Sequence, residues 1–212
     1  IEKSNDIKLE NEFSESFKFL RKLDGLESSH PSFSIKYLYS LVNSGNFREA
    51  FNYSKKLEKQ NLDIFESRLF LGIYYLKYSK PELAKEYFQK ASKAKRSILN
   101  NFVSNSLYNW SSLKSSNYQS AMIELKKLDS RFENLKKIQN IFLNCYFESS
   151  ETISSYKELL SNKKTDFSRY NYFYASFIAK KGNIKEAKNI VKLALKSYPR
   201  NLKLNQLEEN LN

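Results

Sequence analysis

A small side chain returns along this chain at nearly constant intervals: Ser16, Ala50, Ala84, Ala121, Ser154 and Ala187 stand 34, 34, 37, 33 and 33 residues apart. A period of about 20–50 residues marks stacked supersecondary units, because each unit is too small to bury its own apolar face. The fullest instance runs from Lys180 to Pro199. Gly182 can leave one helix in a left-handed conformation, Asn183 can cap the next, and Glu186 three residues on can answer that cap. Ala187 lets the second helix lie close against the first, Ala194 repeats the concession two turns later, and Pro199 stops the helix. Each unit is therefore expected to be two antiparallel helices joined by a tight turn.

Composition agrees with this. Only 4 Gly and 3 Pro in 212 residues leave little material for strand-joining turns, and 41% apolar residues is enough to bury a core. The expected fold is all-α, an α-α superhelix, meaning a right-handed solenoid of antiparallel helix hairpins. Residues 1–31 read as a partial N-terminal repeat, in which Phe13, Phe17, Leu20 and Leu23 share one face of a second helix over Asn11 to Leu26. Five hairpins follow at 32–62, 63–95, 98–131, 135–164 and 167–200, and 201–212 start a further or capping helix. Their turns are marked by Gly45-Asn46 with Glu49, by Ser79-Lys80-Pro81-Glu82 as a capping box, by Ser116-Asn117-Tyr118, by Ser149-Ser150-Glu151 without glycine, and by Gly182-Asn183. Asp63 and Glu66 read as a cap pair for the second opening helix, and Pro31 suits the first turn of the first one.

The 36 basic and 23 acidic residues give a net charge of +13, a field that favours nucleic acid, anionic lipid or acidic peptide. The cations are spread diffusely, and a bias towards Lys, Asn, Ile, Ser, Phe and Tyr also arises from an AT-rich genome. One cysteine excludes an internal disulfide framework. No apolar run approaches the roughly 20 residues that span a bilayer. The chain opens at Ile1 without a signal peptide, which reads as a processed product or an excised fragment, a soluble segment of the bacterial cytoplasm or periplasm.

In its small, apolar, glycine, aromatic, alanine, alanine and proline positions the fifth unit, with Ala175, Ile178, Gly182, Ile184, Ala187, Ala194 and Pro199, resembles the tetratricopeptide repeat family. The second unit supplies Gly72, Tyr75, Pro81, Ala84, Phe88 and Ala91, and the first Leu41, Gly45, Phe47 and Ala50, while the fourth departs nearly everywhere. A narrower resemblance is to long bacterial repeat proteins whose members often begin with a secretion signal. The resemblance implies a non-catalytic scaffold or adaptor that binds a peptide or a partner helix in a concave groove.

Its register implies that the groove is lined by Lys36, Tyr39, Glu66, Phe70, Ile73, Lys77, Leu107, Trp110, Lys114, Lys136, Asn140, Phe147, Arg169, Phe173 and Lys180. Rings alternate with cations there, which suits an acidic or C-terminal peptide. The carboxylate clamp of some family members is not reproduced, since Ile35, Tyr39 and Phe70 occupy its positions. RNA binding through the basic charge, or self-assembly through exposed rings, are the alternatives.

Catalysis is not expected. His30, beside Pro31, reads as a helix-start residue, and Cys145 falls on an apolar face with Leu143 and Tyr146. No phosphate-binding glycine loop, HExxH or paired-cysteine metal spacing is present, so no cofactor is implied. The carboxylates Glu12, Glu49, Glu82 and Glu186 recur at turns, where helix capping accounts for them.

Overall fold

The computed structural model describes residues 18–20, 22–23, 25–94, 97–162 and 164–211. They form α-helices and two one-turn 3-10 helices, with no strand among the described residues. The chain divides between Asn117 and Tyr118 into two compact units.

In the first unit α1 (Pro31–Asn43), α2 (Phe47–Lys59), α3 (Phe65–Lys77), α4 (Pro81–Ser92) and α5 (Ile98–Ser111) each pack on the next, and α1 also reaches α3. Contact with both the neighbour and the next-but-one helix is what a stack of hairpins produces. In α2 the buried residues Ala50, Tyr53, Ser54 and Leu57 follow helical spacing and form one stripe against Phe33, Tyr37, Leu38 and Leu41 of α1. Leu20, Leu23 and Leu26 pack on the same cluster. The helix expected as far as Leu26 does not extend there: residues 22–23 and 25–29 are turns, and Gly25 has φ +106°. Phe13, Ser16 and Phe17 lie outside the described residues.

The second unit contains α6 (Tyr118–Lys127), α7 (Glu133–Tyr146), α8 (Thr152–Leu160), α9 (Tyr170–Lys180), α10 (Ile184–Ser197) and α11 (Leu202–Leu211), again packed in sequence, with α11 also against α9. Tyr156 stacks on Tyr174 with ring centroids 5.1 Å apart, inside a cluster with Ile141, Leu159, Phe167, Ile178 and Ala187. Leu204 of α11 closes a second cluster with Ala175, Val191 and Ala194.

Four hairpin turns share one backbone solution, which also appears after α2, where the Leu62 amide returns to the Leu57 carbonyl behind left-handed Asn61. The amide after a left-handed residue returns to the carbonyl five residues back: Asn46 to Leu41 (2.9 Å), Lys80 to Tyr75 (2.9 Å), Ser149 to Asn144 (2.9 Å) and Asn183 to Ile178 (3.2 Å). The left-handed residues are Gly45, Ser79, Glu148 and Gly182, so glycine removes the steric cost in two turns, and Ser79 and Glu148 each carry about 1 kcal/mol of strain.

The caps are less regular than the sequence predicts. Asn183 Oδ1 accepts from the Glu186 amide (3.1 Å) and its Nδ2 donates to the Glu186 carboxylate (2.7 Å), as expected. Asn46 makes no such cap, its amide donating instead to Ser44 Oγ at 2.9 Å. Lys80, not Ser79, precedes α4 and gives no side-chain cap. Ahead of α3 the cap position is Ile64, whose amide donates to Ser67 Oγ (3.1 Å), and Asp63 is drawn instead to Arg68 (2.6 Å).

Ala50, Ala84, Ala121 and Ala187 are buried, each the fourth residue of its helix. Ser154 is exposed and is not their equivalent. The fourth residue of α8 is Ser155, whose amide donates to the Glu151 carbonyl just as those of Ala50, Ala84 and Ala187 donate to Asn46, Lys80 and Asn183. Two additional residues, Ser149 and Ser150, stand between the left-handed Glu148 and the cap position Glu151, which displaces the sequence register. The interior changes with it. Asn144 occupies the place of Leu41, Tyr75 and Ile178 and is fully buried, its Nδ2 donating to Ser155 Oγ (3.0 Å) and its Oδ1 accepting from the Tyr118 hydroxyl (2.9 Å). A hydrogen-bonded pair thus replaces the apolar crossing of the other hairpins, and this explains why the fourth unit reads as degenerate.

Candidate partner-binding grooves

In the first unit a groove of about 230 Å³ opens between the two opening helices, lined by Ile35, Leu38, Tyr39 and Val42 of α1 and by Glu66, Leu69, Phe70 and Ile73 of α3. Tyr39 is 64% exposed and Ile73 48%, while Phe70 is half-buried and packs on the core beneath. The groove exists because α1 and α3 turn their inner faces to α2 and the neighbouring core, which leaves one turn-spaced row on each helix uncovered among the described residues. Of the residues anticipated from sequence, Tyr39, Glu66, Phe70 and Ile73 meet here. Lys36 is exposed on α1, and Lys77 lies outside the lining with its Nζ 5.2 Å above the Phe47 ring. Trp110 and Leu107 are half-buried in α5. Lys114 is exposed on the one-turn 3-10 helix Leu113–Ser115, because α5 ends at Ser111.

A second groove, of about 330 Å³, lies between α7 and α9 in the other unit, walled by Phe142, Phe173 and Phe177, with Cys145 and Tyr156 also lining it. The rings of Phe142 and Phe173 meet edge to face at 5.4 Å. Lys180 and Lys181 lie at its margin, and Lys181 donates to Glu148 at 2.6 Å. Phe173 and Lys180 both border this groove, and Arg169 is exposed at the cap position of α9.

Asn140 and Lys136 do not join them; they line a third hollow of about 320 Å³ among α6, α7 and α8. Lys136 Nζ is engaged there by the Leu128 carbonyl at 2.9 Å. Phe147 sits just past α7 with its ring 5.7 Å from Tyr118. Counting from the left-handed residue corrects the register: Gln139 and Tyr146 are the α7 equivalents of Phe70 and Lys77, one residue before Asn140 and Phe147. One residue is about 100° of helix, enough to carry a side chain off the groove. The same count makes Phe142 the equivalent of Tyr39 and Ile73, and Phe173 the equivalent of Phe70, positions that can be read once the turn is located.

Cys145 Sγ lies 3.5 Å from the Tyr156 hydroxyl, and burial pushes both groups up from their ordinary pKa values, which suppresses thiolate. His30 is exposed at the cap position of α1. Among the described residues no group of His, Cys, Asp or Glu is placed to hold a metal ion, and no helix is long and apolar enough to cross a membrane.

No family model and no curated protein sequence matches this chain. Solved structures do match in fold. YrrB, a tetratricopeptide repeat protein described as having an unusual peptide-binding site, superposes with a TM-score of 0.55 and 17% identity over 90% of this chain and 97% of its own. TTC0263, a tetratricopeptide repeat protein of Thermus thermophilus, gives 0.57 and 16% identity over 86% and 98%. Cut9–Hcn1, a hetero-tetramer of the APC/C, gives 0.59 and 14% identity; the match takes in 95% of this chain and 40% of that one. The chain has the all-α tetratricopeptide-repeat-like solenoid fold.

Proposed function

We propose that this chain is a non-catalytic interaction scaffold that holds a peptide or partner helix along its opening helices. The groove between α1 and α3 carries this reading, because its lining is almost wholly apolar while Tyr39 and Ile73 remain open to solvent. Covering side chains of this size contributes about 1.5–3 kcal/mol each, so the surface gains from an occupant. The groove between α7 and α9 repeats the arrangement with Phe142 and Phe173, and Lys180 at its margin suits an acidic residue of the partner. YrrB, similar in fold, is described as peptide-binding. The reading takes 32–62, 63–95, 98–131, 135–164 and 167–200 as the repeat units, with 1–31 and 201–212 flanking them.

Selection from a displayed random peptide library, followed by titration of the enriched peptides, tests it. Tyr39→Ala with Ile73→Asp should lower affinity at least tenfold while circular dichroism and the unfolding midpoint stay as in the parent, since both side chains face solvent. Equal affinity in that variant, or no enrichment at all, would overturn the groove as the binding surface.

A further inference from the structure

The sequence reads as diffusely basic, but the structure gathers part of that charge into a line. On α10, Lys185, Lys188, Lys192 and Lys196 follow one another at intervals of 3, 4 and 4 residues. At about 100° per residue they fall within roughly 80° of one another around the helix, and at about 1.5 Å per residue they span about 16 Å along it. Ala187, Val191 and Ala194 occupy the buried face, and the lysine row points away from it. Lys185, Lys192 and Lys196 are exposed and Lys188 half-buried. Among the described residues none of the four has an ion-pair partner, whereas Lys181 is held by Glu148. Glu186 is the one acid in α10, and its carboxylate is bound by Asn183.

Four unneutralised cations in single file repel one another mildly, and a polyanion laid along them relieves that repulsion. We infer that the outward face of α10 is a binding surface for the phosphate backbone of nucleic acid, independent of base sequence. A line of charges one residue wide matches a linear polyanion. An anionic membrane would require a continuous apolar strip facing the same way to insert, and α10 has spent Ala187, Val191 and Ala194 on packing, leaving Ile184 and Leu193 exposed on opposite flanks of the row rather than as a strip. Asn189, exposed at the edge of the row, is the one uncharged polar side chain beside it, so most contacts are with phosphate. None of the four lysines lines either groove, so this surface acts apart from the proposed peptide site.

The test is fluorescence anisotropy of the full chain with a labelled oligouridine of about 20 nucleotides, with the deoxy strand and a duplex as further probes, between about 50 and 200 mM salt. Four phosphate contacts on a single strand contribute about −2.8 to the slope of log affinity against log salt, which over this range is an additional loss of about 50-fold. K185Q/K188Q/K192Q/K196Q should remove that portion of the slope, and the corresponding Lys→Arg quadruple should keep it. A charge-matched control replaces the exposed Lys80, Lys93, Lys157 and Lys164 by Gln. An equal effect of the two Gln sets would overturn the inference in favour of diffuse charge. So would an unchanged slope in the α10 variant, no binding at the lowest salt, or capture by phosphatidylserine vesicles in place of every oligonucleotide.

Discussion

Gly72 is the position where two opposing effects of one methyl group can be weighed. It lies inside α3, where alanine gains about 1 kcal/mol over glycine from helix propensity alone. A Cβ there, however, would stand 2.4, 2.6 and 2.8 Å from three carbons of the Phe88 ring. Ordinary carbon contacts are about 3.5–4.0 Å, so the ring must retreat by about 1 Å. Phe88 is fully buried in α4 and has no solvent to retreat into. Overpacking of this kind costs about 1–3 kcal/mol, and a collision with three ring atoms belongs at the upper end. The net expectation for Gly72→Ala is a loss of about 2 kcal/mol. Urea titration followed through Trp110, the chain's one tryptophan and a member of the same unit, should show a midpoint lowered by about 1 M. In a Phe88→Leu background the same substitution should cost less, by a coupling of about 1 kcal/mol or more. A neutral or stabilising Gly72→Ala in the parent would refute the close crossing of α3 and α4.

Asn144→Leu should destabilise the second unit by about 1–3 kcal/mol, because the half-buried Ser155 and Tyr118 hydroxyls lose their partner, whereas Asn144→Leu with Ser155→Ala should recover part of the loss, the Tyr118 hydroxyl still lacking its acceptor; equal midpoints for the single and double variants would contradict the pairing. Ser79→Gly should stabilise the first unit by up to about 1 kcal/mol by relieving a left-handed residue at φ +56°, read as a raised urea midpoint. Burial opposes ionisation of Glu58, but hydrogen bonds from Lys55, Tyr87 (2.8 Å) and Lys90 (3.2 Å) outweigh it and hold the carboxyl at about 2. A depressed carboxylate pKa stabilises above its unfolded value and loses that contribution as pH falls through the folded one. The first unit should therefore weaken between about pH 4.5 and 2, and Glu58→Gln should flatten that decline; identical pH profiles for the two proteins would show that the cluster linking α2 to α4 contributes nothing.

The period of small residues determined the class of this protein, because a side chain with no room for more than a methyl group at one point per hairpin dictates a close helix crossing there. Glycine at 45 and 182 located two turns, since left-handed backbone is free only for glycine. The turns at Ser79 and Glu148 follow the same path without that mark, and tertiary packing alone imposes it on them. The fourth hairpin shows the limit most clearly. Two residues inserted after Glu148 rotate α7 and α8 relative to any register counted from alanine, so such a count puts Asn140, Phe147 and Ser154 each one step from the true equivalents. Asn144 and Ser155 look like failures of the repeat until their hydrogen bond is seen, because a contact between two helices has no signature in either alone. The alignment of Lys185, Lys188, Lys192 and Lys196 is written in the order of residues, but only the packing of Ala187, Val191 and Ala194 decides that those lysines face solvent.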